Sequence, residues 1–351
     1  MRIADSIVRL FFTTPLHIGN ERSDYALANF IMHSDAFMAA IFHAWSRLGW
    51  DHLIPTDAHT SPGFFISSLF PFVKLDDKHY CYFLPKPRWR PSGDDKLNGN
   101  DEHTKNTKLR KMFKKVAYVD WTLFQKMLSG ESTQSSVPAG VFCSTNKDVF
   151  AEPIIQGQVV PRATVSRTGK EDTVIFYMER YYFRSDKTGL YCLIHYEDNN
   201  LRPKVEAAIR MLGKEGIGTD RNIGNGKFRP EFTDEVPTID IKSAKEPQHA
   251  VNLGLFCPES YHEFQNMIDV HDPLVSYDLI RRSGWLSEPY QTWRKRAVYM
   301  FKEGSVFRLP ANIQNSQALV KGRMVDLRPQ QVQPPITHPV WRCGRTLFVP
   351  F

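Results

Sequence analysis

A chain of 351 residues is longer than a single hydrophobic core usually supports, so we expect two domains. Apolar residues make up 42% of the sequence, which is normal for a folded protein and supplies material for both cores. The 45 basic and 38 acidic side chains leave a net charge of +7, which suits a polyanionic partner without requiring one.

Several classes of protein are not expected from this sequence. The five cysteines are scattered and include no Cys-x-x-Cys pair, so zinc and dithiol redox sites are not predicted. The N-terminus lacks the apolar segment and cleavage site of a signal peptide. No window approaches the roughly eighteen apolar residues of a membrane helix. We therefore expect a cytoplasmic protein with reduced thiols, no metal, no cofactor and no membrane contact.

The first elements are a strand and a helix. Ser6 to Phe12 is rich in Ile, Val, Leu and Phe and predicts a strand. Apolar residues recur at helical spacing over Ala36 to Leu48, with Ser34 or Asp35 as the N-cap. From about residue 50 to residue 170 the pattern loosens into short apolar runs, which indicates a long insertion carrying hairpins.

Regular elements return after this insertion. Thr173 to Phe183 and the run ending at Tyr196 predict two strands, Arg202 to Leu212 predicts a helix, and Lys227 to Phe232 predicts another strand. With the insertion set aside, the order is βαββαβ, that of a ferredoxin-like, RRM-related unit. The fold class predicted is therefore α+β.

A domain boundary is predicted near Glu235, where the sequence continues with Val and Pro. Residues 1–234 would form the first ferredoxin-like domain, and residues 235–351 a second, divergent one. Strand-like runs at Val251 to Phe256, Arg296 to Phe301 and Thr346 to Phe351 support a sheet in this second domain.

The most informative segment is the glycine loop, residues 213–227, which carries five glycines and three cations behind the helix ending near Leu212. Glycine reaches left-handed backbone conformations and lets a backbone approach a ligand closely, so this composition favours amides wrapped around phosphate. The spacing fits neither a Walker loop nor a dinucleotide fingerprint. The simpler alternative is a helix C-cap followed by a connector.

Four segments resemble a known family: Thr13 to Gly19, His33 to Ile41, the glycine loop, and Met300 to Phe307. Together they are similar to RAMP-superfamily CRISPR proteins. The resemblance is greatest to the Cas5-like subunit that caps the 5′ end of the guide RNA, or crRNA, in type III-A (Csm) effectors. It extends from the first strand into the C-terminal part of the chain, but the insertion over residues 50–139 is less recognisable.

This resemblance implies two ferredoxin-like lobes and a non-catalytic, RNA-binding role in antiviral defence. It also implies a groove for the repeat-derived 5′ tag, contacts with the large polymerase-like subunit and the adjacent backbone RAMP subunit, and only indirect contact with target RNA. The residues that match the family's RNA clamp and basic hairpin, or that flank the same face, are His17, Gly19, Ser34, Arg162, Arg167, Gly216, Gly218, Arg221, Asn222, Gly224, Gly226 and Lys227.

Other interpretations remain open for several of these residues. Ser34 is also a natural helix cap, and residues 167–170 also suit a polar turn. Residues 78–115 contain eleven Lys or Arg and four Asp or Glu, interleaved with aromatic residues such as Tyr82 and Phe83, which is a pattern that contacts single-stranded RNA. The aromatic stretch from Trp285 to Trp293 is a candidate surface for the large subunit.

The alternative function is a metal-free endoribonuclease that processes CRISPR repeat RNA. Such an enzyme needs a general base on the 2′-hydroxyl and an acid on the leaving oxygen. His17, His33 and His43 are the candidates for these roles. No pair of histidines has a diagnostic spacing, so the binding role is preferred. A purely structural protein module would leave the glycine loop unexplained.

Overall fold

The computed structural model of the protein describes residues 2–21, 24–88, 111–133, 135–165, 172–240, 247–286, 290–309, 319–331 and 335–351. The α-helices are α1 (Ser34–Arg47), α2 (Trp121–Leu128), α3 (Arg202–Glu215) and α4 (Tyr261–Met267), and residues 111–115 are also helical. Short 3-10 turns span Asp51–Leu53, Lys147–Phe150, Asn199–Leu201 and Arg221–Ile223.

Strands precede, separate and follow these helices along the chain. In order from the N-terminus they are β1 (Ser6–Phe12), β2 (Ile18–Glu21), β3 (Asp24–Asn29), β4 (Phe64–Ile66), β5 (Phe70–Lys74), β6 (Tyr80–Pro85), β7 (Tyr118–Asp120), β8 (Val137–Ala139), β9 (Phe142–Ser144), β10 (Ile155–Thr164), β11 (Val174–Phe183), β12 (Thr188–Tyr196), β13 (Phe228–Thr233), β14 (His249–Asn252), β15 (Leu279–Arg282), β16 (Val298–Phe301), β17 (Val306–Arg308), β18 (Leu319–Lys321), β19 (Met324–Asp326), β20 (Trp341–Cys343) and β21 (Thr346–Pro350). This mixture of helices and strands confirms the α+β class.

The largest sheet runs in the order β13-β1-β12-β5-β6-β7-β9-β8, and β4 also pairs with β12. Strand β1, the second strand from one edge, is antiparallel to both β12 and β13. All seven residues of β1 are buried, because both faces of the sheet are covered. This double coverage explains why the β1 sequence is a nearly continuous apolar run, without the alternation of a half-exposed strand.

Helices α1 and α3 cover one face of this sheet. Leu10 of β1 and Leu190 of β12 pack with Ile41 of α1 and Ile209 of α3 in one buried cluster. The Trp45 indole also donates a hydrogen bond of 3.0 Å to the backbone oxygen of Lys204, which ties the two helices together. The end of α3, where the glycine loop begins, is thereby fixed against the sheet.

The opposite face is covered by α2 and by the C-terminal part of the chain. Ile7 and Phe11 of β1 share a cluster with Phe124 of α2 and with Val251 and Val349, which lie beyond residue 235. The hydrophobic core therefore continues across the position where the sequence predicts a domain boundary.

The structure corrects the predicted roles of two segments. β11, predicted as a member of the main sheet, instead pairs with β10 in a separate two-stranded hairpin. Strands β4 and β5, which come from the predicted insertion, occupy the place beside β12. The physical reason is the difference in burial between these strands. β4 and most of β5 are fully buried, whereas Ile175 of β11 is 65% exposed.

The C-terminal part contains a four-stranded sheet in the order β17-β14-β21-β18, with the two-stranded pairs β15–β16 and β19–β20 beside it. The strand-like runs predicted there correspond to β14, β16 and β21. An aromatic cluster that includes Phe256, Phe301, Phe307 and Phe348 fills its core. All five cysteines are free thiols. Among the described residues, no helix is long and apolar enough to cross a membrane.

Candidate nucleic-acid interface

The glycine loop is folded tightly, and two of its glycines are required by close backbone contacts. Gly218 and Gly226 have φ angles of 89° and 72°, in the left-handed region that disfavours other residues. A Cβ at Gly226 would collide with the backbone oxygen of Ile217, and one at Gly218 with the backbone oxygen of His17. The loop is therefore an ordered structure and more than a flexible connector after a helix.

Backbone hydrogen bonds hold the loop against the segment that follows β1. Thr219 N donates to His17 O at 3.0 Å, and Gly226 N donates to Pro15 O at 2.8 Å. Lys227 N donates to the Thr14 hydroxyl oxygen at 2.8 Å. The Thr13 to Gly19 segment and the glycine loop, which the sequence analysis singled out separately, are thus one unit.

The tip of the loop presents several unused amide groups. Among the described residues, the backbone N–H groups of Gly218, Asp220, Arg221 and Asn222 have no hydrogen-bond acceptor. Asp220 is one of the few non-glycine residues with a positive φ, 61°. Successive amides around a left-handed residue form a concave group of donors that suits an anion. A phosphate oxygen is an anion of this kind.

The cationic side chains of the loop are available to a ligand. Arg221 and Lys227 are exposed, and neither makes an ion pair within the described part of the chain. The positive field of Arg221 also reaches α1. Burial, then the charges of Arg221 and Arg47, lower the pKa of His43. The predicted residues Gly216, Gly218, Arg221, Asn222, Gly224, Gly226 and Lys227 therefore all belong to one compact loop.

Arg162 reaches the same loop from the β10–β11 hairpin. Its Nη1 lies 2.7 Å from Asp220 Oδ2, and Arg180 Nη2 lies 4.0 Å from the same oxygen. Arg162 is thus brought to the predicted site, although part of its charge is already neutralised by Asp220. Arg167, also predicted to bind RNA, lies outside the described residues.

His17 lies beneath the loop and is fully buried. Its Nδ1 is 2.5 Å from Glu179 O, and since a carbonyl only accepts, Nδ1 carries the hydrogen and donates it. Within the described residues, His17 Nε2, Arg180 Nε and Asn225 Nδ2 are buried polar atoms without a hydrogen-bond partner. Gly19 is exposed in β2, two residues further along.

His33, Ser34 and Asp35 occupy a different place, the junction between α1 and the C-terminal part of the chain. The helix is capped by the backbone of His33, so neither Ser34 nor Asp35 is the N-cap, which corrects the sequence prediction. Ser34 is 2% exposed, and its hydroxyl accepts from Leu255 N at 2.9 Å. An RNA contact through Ser34 therefore stays a prediction, at a position that this structure leaves closed.

The three histidines considered for catalysis have separate partners. His33 Nδ1 lies 2.7 Å from Glu303 Oε1 in the buried junction. His17 is held by Glu179, and His43 is on the exposed side of α1. The structure therefore gives these histidines three different environments.

The basic and aromatic segment at residues 78–115 is only partly described, because residues 89–110 lie outside the described ranges. Tyr82 and Phe83 are 5% and 0% exposed. They are core residues because β6 lies in the interior of the main sheet, between β5 and β7. This corrects the expectation that these two rings stack on RNA bases. The exposed cations Lys111, Lys114 and Lys115 follow the undescribed stretch.

Sequence reasoning missed Asp220, Arg180 and Asn225. Asp220 could have been found from the sequence, because aspartate tolerates the left-handed conformation and this residue lies inside the glycine loop. The pairing of Asp220 with two arginines of the hairpin depends on the tertiary fold. In the Trp285 to Trp293 stretch, Trp293 is 39% exposed and Arg294 lies 4.9 Å from the Trp285 ring centroid. The expectation of a partner surface there stays a prediction.

A comparison with protein families and a comparison with individual proteins both give a similarity to Csm4. Residues 245–351 match the family described as CRISPR Csm4 C-terminal domain. The chain is 27% identical over 282 residues to the CRISPR system Cms protein Csm4 of Thermococcus onnurineus (strain NA1), which covers 79% of this chain and 82% of that protein. These similarities confirm the resemblance predicted from the four sequence segments.

Two solved structures share the fold. One is the Csm3-Csm4 subcomplex in the type III-A CRISPR-Cas interference complex, with a TM-score of 0.62, 18% identity, and 99% of both chains covered. The other is the Csm1-Csm4 cassette in complex with AMPPNP, with a TM-score of 0.56, 20% identity, and coverage of 99% of this chain and 96% of that one.

Proposed function

We propose that this chain, a relative of Csm4, is the non-catalytic crRNA-binding subunit of a type III-A CRISPR interference complex. It grips the repeat-derived 5′ tag of the guide RNA and contributes to defence against viruses and plasmids. Its contact with target RNA is indirect, through the guide. It acts in the cytoplasm and needs neither a metal nor another cofactor.

The observation that carries this proposal is the tip of the glycine loop. Within the described part of the chain, four backbone amides of this loop have no acceptor, and the Arg221 and Lys227 side chains of the same loop form no ion pair. Amides and cations together bind phosphate oxygens through charge-assisted hydrogen bonds. Arg162, His17 and Gly19 lie on the segments around this loop. Ser34 and Arg167 complete the proposed set on the strength of the family resemblance alone.

The partners follow from the relatives. The solved structures of similar fold are of Csm4 with Csm3 and of Csm4 with Csm1. We assign to this chain the corresponding contacts, one with the adjacent backbone RAMP subunit and one with the large polymerase-like subunit. Exposed apolar side chains on the β10–β11 hairpin, such as Ile175 and Tyr177, offer a surface for a neighbouring subunit.

We further propose that residues 1–234 and 235–351 are two ferredoxin-like units that share a packed interface. The order β13-β1-β12 followed by β4 and β5, with two helices on one face, is the antiparallel arrangement such a unit requires. The core that continues across residue 235 makes that interface large and apolar.

The non-catalytic assignment is supported by the environments of the candidate histidines. A general acid and a general base must both reach the reacting ribose and phosphate. His33 is 8% exposed and is paired with Glu303, and His17 is 0% exposed beneath the loop. Neither ring is open to a substrate in this conformation.

The test is to purify the protein with its companion subunits from cells that express the matching CRISPR array, and to sequence the RNA that copurifies. We expect guide RNAs with one uniform, repeat-derived 5′ end. The combined change Arg221→Ala and Lys227→Ala should reduce this RNA about tenfold and weaken the salt dependence of binding, because phosphate contacts are lost. The free energy of unfolding should change by less than about 0.5 kcal/mol.

The matched control is Lys147→Ala with Arg323→Ala, which removes one lysine and one arginine from two exposed positions outside the segments proposed to bind RNA. This control should keep its guide RNA. Normal RNA content in the Arg221/Lys227 variant would contradict the clamp. Random cellular RNA would indicate a nonspecific binder, and cleavage of repeat RNA by the isolated chain would indicate the endoribonuclease instead.

A further inference from the structure

A cluster of charged residues lies where α1 meets β15 and β20, away from the glycine loop. Asp35 is 0% exposed at its centre. Arg282 donates to it through Nε and Nη2, at 2.9 and 3.1 Å. Arg342 Nε lies 3.5 Å from Asp35 Oδ2. One buried carboxylate is therefore shared by two guanidinium groups.

A third cation, Lys295, completes the cluster and leaves it with excess positive charge. Burial, followed by the neighbouring charge of Arg342, lowers the pKa of Lys295 to about 8, although Asp35 acts in the opposite direction. Three cations then face a single carboxylate. Such an imbalance in a half-buried place is costly unless an anion compensates it.

Two of these groups have unused hydrogen-bonding capacity. Arg342 Nε is buried and makes no hydrogen bond with any described residue, and neither does the Lys295 ammonium. Among the described residues, the one atom within 4 Å of a Cβ built at Gly284 is Arg342 Nη2, at 3.9 Å, so these residues leave room between Gly284 and Arg342. The cluster therefore offers donors and room to a small anionic group.

The surrounding surface favours a nucleic acid as the source of that group. Arg294 and Arg296 flank Lys295 in the sequence, are exposed, and form no ion pair within the described part of the chain. Trp293, two residues before Lys295, is 39% exposed. Exposed rings beside cations suit single-stranded RNA, in which phosphates and unstacked bases are both accessible.

We propose that Lys295, Arg282 and Arg342 form a second phosphate-binding site, in the C-terminal part of the chain, and that it holds a backbone phosphate of single-stranded RNA. Asp35 orients the two arginines and limits the excess charge when the site is empty. The identity of the RNA as the guide rests on the proposed function, whereas the phosphate chemistry of the site does not.

The test measures the reactivity of the Lys295 amine in the whole protein. Acetic anhydride labels the neutral amine, and mass spectrometry compares Lys295 with the exposed Lys147 in the same sample, near the Lys295 pKa of about 8. Three probes are added in turn: inorganic sulfate, AMP, and single-stranded RNA carrying the 5′ tag. A bound anion stabilises the ammonium form, so labelling of Lys295 should slow about fivefold while that of Lys147 is unchanged.

A second measurement uses variants. Lys295→Met should weaken RNA binding about three- to tenfold, and Lys295→Arg should restore it, because Arg keeps the charge. Protection of Lys295 by sulfate and RNA supports the site as proposed. Protection by sulfate and AMP but not by RNA supports the site with a free nucleotide as its ligand.

The results that would contradict the second phosphate-binding site differ from those that would contradict the proposed function. If RNA binds the protein but neither RNA nor sulfate changes Lys295 labelling, the second site is wrong and the glycine-loop clamp stands. Protection by sulfate alone overturns the site as a phosphate-ligand site. If no RNA copurifies but sulfate and AMP protect Lys295, the proposed function fails while the site remains.

Discussion

At the scale of single residues, the glycines of the loop differ in what they would meet if a side chain were added. A Cβ at Gly226 would collide with the backbone oxygen of Ile217, whereas the only atom near one at Gly224 is Lys227 Cε, at 4.0 Å. Both glycines have a positive φ, so backbone strain alone does not distinguish them. Of these two glycines, only Gly226 would collide with the backbone if a side chain were added.

Gly226→Ala should therefore lower the free energy of unfolding by more than about 3 kcal/mol, since strain and backbone displacement add. Gly224→Ala should cost only about 1–2 kcal/mol, the penalty of the left-handed conformation. Urea unfolding of the two variants measures both values. Equal losses would mean that the loop relaxes around the added methyl group and that its packing is not rigid.

The glycine loop could be recognised from the sequence because its glycine density and charge are properties of consecutive residues. It could not show which glycines pack against backbone, since the contact of Gly218 with His17 joins residues about two hundred positions apart. Asp220 was overlooked for the same reason. Its carboxylate acquires a role only when the hairpin brings Arg162 and Arg180 to it.

At the scale of elements, the ion pair between Asp220 and Arg162, at 2.7 Å, is shorter than the contact of Arg180 with Asp220, at 4.0 Å, and both join the glycine loop to the β10–β11 hairpin. Arg162 and Asp220 are 28% and 20% exposed, so solvent screens the pair less than a surface pair. A double-mutant cycle of Arg162→Gln and Asp220→Asn should give a coupling energy of about 1 kcal/mol. Asparagine is chosen because it tolerates the left-handed conformation.

Hydrogen exchange gives the second readout for this ion pair. Amides of β10 and β11 near Arg162 should exchange faster in either variant, because the hairpin detaches from the loop more often. The control pair is Arg308→Gln with Asp269→Asn, an ion pair whose side chains are 55% and 31% exposed and whose coupling should be near zero. A coupling near zero for Arg162 and Asp220 would show that this ion pair does not help to dock the hairpin.

The strands that the sequence misassigned are those whose environment is set by distant partners. β11 has the β-branched and aromatic composition of a sheet strand, and that composition does not reveal that it pairs with β10 in a hairpin outside the main sheet. β4 and β5 were hidden inside an irregular segment because each is only three to five residues long. Helices α1 and α3 were predicted well, since helical periodicity is a property of consecutive residues.

At the scale of the whole molecule, the two halves of the chain are joined by buried polar pairs as well as by the shared core. His33 meets Glu303, and Asp35 meets Arg282 and Arg342, each across more than two hundred residues. The sequence placed His33, Ser34 and Asp35 at a helix start, and the resemblance suggested an RNA-facing role for them. Nothing local indicated that this helix start would be covered by the C-terminal part of the chain.

This junction predicts how the stability of the protein responds to acid. Burial alone would raise the pKa of Asp35, but Arg282 and Arg342 outweigh it and lower the pKa from 3.8 to about 2. A carboxyl with a depressed folded-state pKa stabilises the fold above its unfolded pKa, and this contribution is lost as the pH falls through the folded value. Asp35 should thus contribute about 2 kcal/mol at neutral pH, lost progressively below pH 3.8.

Asp35→Asn should cost about 3 kcal/mol at neutral pH, because two arginines lose their buried counter-charge. The difference in free energy of unfolding between this variant and the unmodified protein should narrow by about 1 kcal/mol between about pH 5 and pH 3, because the Asp35 carboxyl of the unfolded chain takes up a proton in this range while that of the folded protein stays ionised. Urea unfolding at a series of pH values measures this gap. Asp186→Asn is the control, since Asp186 is paired with Arg229 but is 68% exposed, and its unfolding curves should follow those of the unmodified protein at every pH. If the free energies of unfolding of the unmodified protein and of Asp35→Asn changed with pH in parallel, protonation of Asp35 would not be the cause of the loss of stability in acid.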